Sequence, residues 1–211
     1  MAEAFATSAF QTISQLAAQP SVHQAFQWFH LQESKLREWH RQVVAIPAPP
    51  FGEAARAHWL AAKFKAVGLE DVHTDACGNV LGWFRGHTGH LPTAQQPVAN
   101  GQEPSSGGGH SCVLFSAHLD TVFPADAIGE PIQKDSILLA PGACDNGAGI
   151  IGLLAIAAAM RAAHVRPATD ILFVGNVGEE GEGNLRGMRY LFTEAPVADI
   201  PSPPKCGTRK F

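Results

Sequence analysis

The sequence predicts an α/β fold in which a buried sheet carries polar site residues at one edge. Three short apolar runs, at residues 112–115, 137–140 and 171–174, are bounded by Gly, Pro, Asp or Ser and are typical of buried strands. Each run is followed by a loop that contains a His or a carboxylate. A long apolar stretch at 147–164 lacks a polar face, which predicts a helix buried against the sheet. Strand-end loops are where α/β proteins build functional sites, so these loops are the first candidates.

The N-terminal residues predict two helices. They cover residues 2–18 and 22–44 and are separated at Pro20, because proline interrupts a helix. The second helix has aromatic and apolar residues at roughly helical spacing. We therefore expect residues 1–21 to form a helical appendage to the main domain.

A proline-rich break at residues 46–52 separates these helices from the next elements. Residues 53–67 then predict a helix with an apolar stripe, which Gly68 ends. Residues 71–84 predict two strands joined by a turn at 77–79, since a Gly-Asn pair favours a tight turn.

Residues 87–110 have the composition of a solvated, disordered insertion, rich in Gly, Pro, Ser, Gln and Thr. The insertion contains His87, His90 and His110. We expect no metal role for these three residues, because a disordered loop cannot hold ligands in fixed positions.

Charge and hydropathy exclude several classes of function. The 211 residues carry a net charge of −4 and no basic stripe, which argues against a nucleic-acid partner. The first residues lack the positive charge of a signal peptide, and no apolar run suggests a membrane span. The expected location is therefore the cytoplasm, without a membrane partner. The four cysteines lack C-x-x-C spacing, so we expect free and mostly buried thiols.

The first motif is SAHLDT at residues 116–121, at the end of an apolar run. His118 and Asp120 are two residues apart, so both side chains can project to the same side of an extended chain. An imidazole that binds a metal usually donates its other N–H to a carboxylate, and Asp120 is a candidate for that acceptor. Taken alone, such a pair is more often a surface or capping arrangement than part of a metal site.

The second motif is GACDNGAG at residues 142–149, immediately before the apolar helix. Asp145 fits an ordinary helix N-cap. It also fits a metal site, since a carboxylate can bridge two cations and the glycines allow close approach of the backbone. A third interpretation makes Cys144 a nucleophile in a G-x-S-x-G-like turn, but Asn146 stands where that motif requires glycine.

The third motif is GEEGEG at residues 178–183, which contains the adjacent acids Glu179 and Glu180. Two neighbouring carboxylates repel each other, so a solvated acidic loop is the simplest interpretation. A nearby cation would reverse that balance, with one Glu as a ligand and the other as a general base. One imidazole and several carboxylates at one sheet edge form a ligand set for a divalent metal, zinc above all.

These three motifs, in this order, resemble those of a zinc-dependent exopeptidase and deacylase family. That family includes glutamate carboxypeptidase, acetylornithine deacetylase, succinyl-diaminopimelate desuccinylase, aminoacylase and tripeptide aminopeptidase. The stretches IPAPPFGE at 46–53 and GNV at 78–80 also resemble the N-terminal region of the family. The resemblance therefore covers about residues 28–192.

The resemblance implies a three-layer catalytic domain with a mostly parallel mixed sheet between helices, and two divalent metal ions, zinc above all. It implies His118 as a ligand of one zinc, Asp120 as its orienting carboxylate and Asp145 as the bridging ligand, with a cis peptide bond to Asn146. It implies Glu179 as the general base and Glu180 as a ligand of the other zinc. The implied substrates are short peptides or N-acyl amino acids, and relatives are often dimeric through a domain that this chain lacks.

The sequence departs from the family pattern after Phe192. The family supplies a further acidic ligand at the end of the next strand and a distant His, but Pro201, Pro203 and Pro204 interrupt the corresponding stretch here. Asp199 is the nearest candidate for the acidic ligand. We expect residues 22–200 to form an incomplete metallopeptidase catalytic domain, with 201–211 as an irregular tail.

Two functions follow from this pattern. The first is a metal-dependent hydrolase of amide bonds, of which this chain is the N-terminal part and therefore inactive alone. The second is a non-catalytic truncated remnant that folds partly and binds metal weakly. In both cases an early end to the sheet predicts an exposed apolar edge near residues 171–177.

Overall fold

The computed structural model describes residues 2–87 and 112–193, with side chains from residue 9 onward, as an α/β fold around a four-stranded sheet. The predictions for the tail at 201–211, nearly all of the insertion at 87–110, and His90, His110 and Asp199 lie outside these residues. The described helices, α1 to α6, are Ala2–Ala17, Pro20–Leu31, Glu33–Val44, Ala54–Ala66, Gly149–Ala162 and Arg186–Thr193.

The main sheet is mixed and has the strand order β1-β2-β6-β3. These strands are Glu70–Thr74 (β1), Val80–Phe84 (β2), Val113–His118 (β3) and Ile171–Asn176 (β6). Strands β3 and β6 are parallel, and the other two pairs are antiparallel. A separate hairpin pairs β4, Ile132–Lys134, with β5, Ile137–Leu139. The predicted α/β class with a mixed sheet between helices is thereby confirmed.

Side chains from both faces of the sheet are buried. One face, which includes Phe173 of β6, packs with Phe64 of α4 and Leu154 of α5 into the larger core cluster. The opposite face packs Leu172 of β6 against Leu191 of α6 in a second cluster. This alternation along β6 is the period-two pattern of a strand that is covered on both faces.

Three expectations for the strands are wrong. The run at 112–115 forms most of β3 but is not buried, because β3 lies at an edge of the described sheet and leaves Val113 42% and Phe115 36% exposed. The run at 137–140 is not a buried strand, because β5 pairs only with β4 outside the main sheet and leaves Ile137 and Leu139 more than half exposed. The edge near 171–177 is not open, because β6 lies between β2 and β3. Within the described residues, the apolar strand at the sheet edge is β3, where Val113 is 42% exposed.

The helices follow the sequence closely except at one break. Pro20 begins α2, where its missing N–H costs no helical hydrogen bond, as predicted. The single helix expected over 22–44 is wrong, because the backbone leaves helical dihedral angles at Gln32 and divides it into α2 and α3. Gly68 follows α4 with φ +85°, a value that favours glycine, and so ends this helix as predicted.

The apolar stretch at 147–164 forms α5, which is buried in the core as predicted. By length and composition alone, Ala143–Ala162 could also span a membrane. However, 56% of the apolar window is buried inside the protein, so packing against the sheet accounts for its composition.

The cysteines in the described residues are free, as expected, but they are less buried than expected. Cys77 and Cys112 are half-buried, and Cys144 is exposed at the turn before α5. Burial, followed by the charge of Asp170, raises the pKa of the Cys112 thiol, so this residue is a poor nucleophile.

Candidate metal centre

The candidate site lies where the parallel strands β3 and β6 end side by side. His118 at the end of β3 pairs in register with Asn176 at the end of β6. The Leu119 N–H then donates to the Asn176 carbonyl over 2.7 Å, which keeps the two outgoing loops together. The loops that carry His118 and Glu180 therefore leave the sheet at the same edge, which is where α/β folds place their sites.

Three of the predicted residues converge at this edge. His118, Asp145 and Glu180 each offer a ligand atom within 4.8 Å of the other two. Nε2 of His118 is 2.9 Å from Oδ1 of Asp145. An imidazole nitrogen and two carboxylates this close together are suitable first ligands for zinc.

The imidazole of His118 is held on both sides. Its Nδ1 lies 3.1 Å from the carbonyl oxygen of Asp120 and 3.7 Å from the Oδ1 atom of the same residue. The backbone carbonyl is therefore the nearer acceptor, and the carboxylate acts mainly through its charge. This arrangement leaves Nε2 facing Asp145 and available as a ligand atom.

Asp145, in the turn before α5, does not cap this helix. Asp145 has φ −115° and ψ 98°, which are not helical values, and its side chain is 72% exposed. The Gly149 N–H, at the start of α5, instead donates to Oδ1 of Asn146 over 3.1 Å. The capping interpretation therefore applies to Asn146. The Asp145–Asn146 peptide bond is cis, as the family resemblance implies.

The two adjacent glutamates differ in their relation to the cluster. Glu180 contributes a ligand atom to the group with His118 and Asp145. Glu179 is half-buried beside it, close enough for its charge to influence both His118 and Glu180. Cys144 is exposed and lies outside the group, so the geometry gives no support to its role as nucleophile.

The electrostatics of the cluster follow from its concentration of negative charge. Burial alone lowers the pKa of His118, but Asp120, Glu179 and Asp145 outweigh it and leave the pKa above its ordinary value. Burial raises the pKa of Glu180, and the charges of Asp145 and Glu179 raise it further. A bound cation would relieve this repulsion, since it neutralises several carboxylates at once.

Asp120 is fully buried and remains a strong acceptor. Burial alone would raise its pKa, but the neighbouring imidazole of His118 and hydrogen bonds from the N–H groups of Glu179 and Glu180 lower it below the ordinary value. The distances to these two N–H groups are 3.0 and 2.8 Å. The carboxylate of Asp120 therefore contacts the glutamate loop more closely than it contacts His118.

The sequence interpretation missed a second group of polar residues behind the site. Arg56 is fully buried, and its guanidinium donates to the carbonyls of Leu119 and Ile46. Glu53 pairs with Arg186 over 2.8 Å. A signal for part of this group was present, because Glu53 lies in the IPAPPFGE stretch that resembles the family.

Replacing Arg56 with Met is expected to destabilise the chain by about 3 kcal/mol, because two or more buried carbonyl contacts would lose their charged donor. The lowered pKa of Arg56, about 10 through burial, shows how far this group is withdrawn from water. Urea unfolding of the two proteins measures the difference. Arg37→Met is the matched control, because Arg37 is exposed and, among the residues that the structure describes, pairs with its helix neighbour Glu33 and the Ser136 carbonyl. Equal losses in both variants would contradict the prediction.

The sequence model of Peptidase family M28 matches residues 98–202, a span that contains all five predicted site residues. A search of curated proteins finds no significant match.

Three solved structures illustrate the fold. Human carnosine dipeptidase 1 is 15% identical, with a TM-score of 0.59 over 85% of this chain and 39% of its own. The di-peptidase Dug1p from Saccharomyces cerevisiae is 13% identical, with a TM-score of 0.57 over 82% of this chain and 38% of its own. A tripeptidase from Staphylococcus aureus is 23% identical, with a TM-score of 0.51 over 72% of this chain and 40% of its own. The chain therefore shares the fold of these peptidases and spans about two fifths of their length.

Proposed function

We propose that this chain, which has the fold and the ordered motifs of the zinc exopeptidase and deacylase catalytic domain, is part of a metal-dependent hydrolase of amide bonds. The proposed substrates are short peptides or N-acyl amino acids. The observation that carries the proposal is the convergence of His118, Asp145 and Glu180 at the end of two parallel strands. A cytoplasmic location stays a prediction.

The donor set fits a divalent metal. His118, Asp145 and Glu180 would hold it, with Asp145 as the proposed bridge toward a second ion. When bound, zinc supplies Lewis-acid chemistry, which makes water more acidic and polarises the scissile carbonyl. A two-ion site needs further ligands beyond these three.

Asp120 and Glu179 have different roles in the proposed reaction. Asp120 holds the imidazole of His118 so that Nε2 faces the metal position. Glu179 accepts the proton from the attacking water and transfers it to the leaving amine. Glu179 lies beside the cluster but does not belong to it, which suits a base that must not bind the metal itself.

An activity assay tests the proposal. Release of free amino acids from dipeptides and N-acetyl amino acids would be measured for a protein that supplies the complete catalytic domain, before and after chelation and after zinc is restored. We expect turnover that the chelator abolishes and zinc restores. Turnover that persists without metal, or no turnover in any state, would contradict the proposal.

The 211-residue chain by itself is expected to bind zinc but to hydrolyse these substrates no faster than its metal-free form. Three ligands in one cluster are too few to hold two ions with a defined geometry. The same cluster supports the second candidate function, a non-catalytic remnant that binds metal weakly. Robust chelator-sensitive turnover by this chain would contradict both the expected inactivity and the remnant function. Asp199 or one of His87, His90 and His110 would then have to complete the site.

Zinc affinity is expected to weaken as the pH falls from about 8 to about 5.5, by up to about tenfold per pH unit, because zinc requires the unprotonated His118 ring. Because the pKa of His118 is raised, the loss of zinc affinity begins at a pH above the ordinary pKa of 6.5.

In the metal-free chain, protonated His118 stabilises the fold below pH 6.5, and this stability is lost as the pH rises through the raised pKa. Zinc titrations and unfolding curves across this range measure both effects. A zinc affinity independent of pH would exclude His118 as a ligand.

A further inference from the structure

The loop that carries the two glutamates is held by side chains where it leaves the sheet. Four consecutive backbone N–H groups, those of residues 177–180, each donate to a side-chain oxygen. The pairs are Val177 with Asn79 Oδ1 (3.0 Å), Gly178 with Glu53 Oε1 (3.0 Å), Glu179 with Asp120 Oδ1 (3.0 Å) and Glu180 with Asp120 Oδ2 (2.8 Å). We call Glu53, Asn79 and Asp120 the acceptor triad.

The acceptor triad is drawn from three separate parts of the chain. Glu53 precedes α4, Asn79 precedes β2 and Asp120 follows β3. All three residues are buried, with at most 3% of their surface exposed. Burial of polar groups is costly unless they are hydrogen-bonded, so this convergence on one short loop is a specific feature of the fold.

Each of the first two acceptors is itself held in place. Nδ2 of Asn79 donates to Asp75 over 2.8 Å and to the Gly187 carbonyl over 3.0 Å. The carboxylate of Glu53 accepts from Arg186, with a shortest contact of 2.8 Å. These contacts orient the two side chains so that Oδ1 of Asn79 and Oε1 of Glu53 face the loop.

The loop has a shape that these side-chain contacts stabilise, together with backbone hydrogen bonds from Gly183, Arg186 and Gly187. In a strand, successive N–H groups point to opposite sides, so one neighbour cannot take four in a row. Gly178 has φ +62°, and a Cβ atom there would lie 2.6 Å from the Arg186 side chain. The backbone therefore turns sharply at Gly178, and the acceptor triad fixes that turn directly before the glutamates.

We infer that Glu53 and Asn79 are positioning residues, which set the metal affinity of the site by fixing the backbone from which Glu180 and Glu179 project. Neither residue belongs to the cluster of ligand atoms, so each acts through the loop. This inference rests on the proposed metal site. It assigns to the IPAPPFGE and GNV stretches a part in building that site.

Amide hydrogen exchange tests the contacts in the full 211-residue chain. The N–H groups of residues 177–180 are expected to be protected, and Glu53→Ala should accelerate exchange at Gly178 and its neighbours while β2 stays protected. Glu53→Gln keeps an oxygen for the Gly178 N–H and should restore much of the protection. Unchanged exchange at Gly178 in Glu53→Ala would overturn the inference.

Titration with Zn²⁺ alone then tests the consequence. We expect Glu53→Ala to weaken zinc binding by about 10- to 100-fold, as removal of an outer-shell partner does in known metal sites, and Glu53→Gln to weaken it less. Phe84→Leu is the control for lost stability, since Phe84 is buried and pairs with Ile171 at the opposite end of β6. Equal weakening in Phe84→Leu and Glu53→Ala would overturn the inference.

Glu180→Gln separates this inference from the proposed function. If Glu180→Gln weakens zinc binding but Glu53→Ala does not, the positioning role is wrong and the metal site stands. If Glu180→Gln also binds zinc like the unmodified chain, the proposed metal site is wrong as well. Should Glu53→Ala not fold, Glu53→Gln carries the test, and an unchanged zinc affinity with lost protection at Gly178 would overturn the positioning role.

Discussion

Replacing Glu179 with Gln is expected to lower kcat by about 10²- to 10⁴-fold, the range that a general base contributes, in a protein with the complete catalytic domain. Gln keeps the size and the hydrogen-bonding groups of Glu but cannot accept a proton from the attacking water. Because Glu179 lies outside the ligand cluster, the zinc content should stay nearly unchanged. Steady-state kinetics and metal analysis on the same preparation measure both quantities.

Glu182→Gln is the matched control for Glu179→Gln. Glu182 is an exposed acid in the same glycine-rich loop, and it does not belong to the ligand cluster. Its replacement removes the same charge and should leave kcat within about twofold, as for a typical surface substitution. A Glu179→Gln protein that turns over at the unmodified rate would remove Glu179 as the base.

Glu180→Gln should act on metal binding rather than on the proton transfer. Structural zinc sites with four ligands bind with about 10–16 kcal/mol, or roughly 3 kcal/mol per ligand, so loss of one ligand should weaken binding by on the order of 100-fold. We expect this loss in the 211-residue chain for Glu180→Gln and for His118→Ala, and zinc titration measures it.

The same two variants have a stability signature. Zinc that binds only the folded state raises the unfolding temperature, so the unmodified chain should be stabilised by zinc and the two variants much less. Glu182→Gln again serves as the control and should respond to zinc like the unmodified chain. Equal stabilisation of all four proteins would place zinc elsewhere than at the cluster of His118, Asp145 and Glu180.

The part of the site that follows from local sequence could be predicted. His118 and Glu180 each follow a strand whose apolar pattern is clear, and β3 and β6 are parallel neighbours. The Asp145–Asn146 turn could be located because the apolar helix α5 begins directly after it. These residues depend on short-range patterns, which the sequence shows directly.

The part that depends on long-range contacts could not be predicted. Glu53 and Asn79 reach the glutamate loop across 125 and 98 residues of sequence, and nothing at either position indicates its partner. The burial of Arg56 was equally hidden, because arginine is ordinarily a surface residue.

Strand packing also depends on the assembled sheet. The apolar run at 137–140 reads like a core strand, but in the structure it pairs only with β4. The apolar strand at the edge of the described sheet is β3 and not β6, because β2 pairs antiparallel with β6 and covers one side of it. Apolar composition predicts a strand, but the pairing partner decides whether that strand is buried.

Zinc binding by His118, Asp145 and Glu180 together can be observed in a crystal. The most direct measurement is an anomalous-difference map, at the zinc absorption edge, of a crystal of this chain grown with Zn²⁺. We expect a peak within about 2.0 to 2.2 Å of Nε2 of His118 and of carboxylate oxygens of Asp145 and Glu180. A map with no peak at this edge of the sheet, or with zinc bound only by other residues, would contradict this expectation.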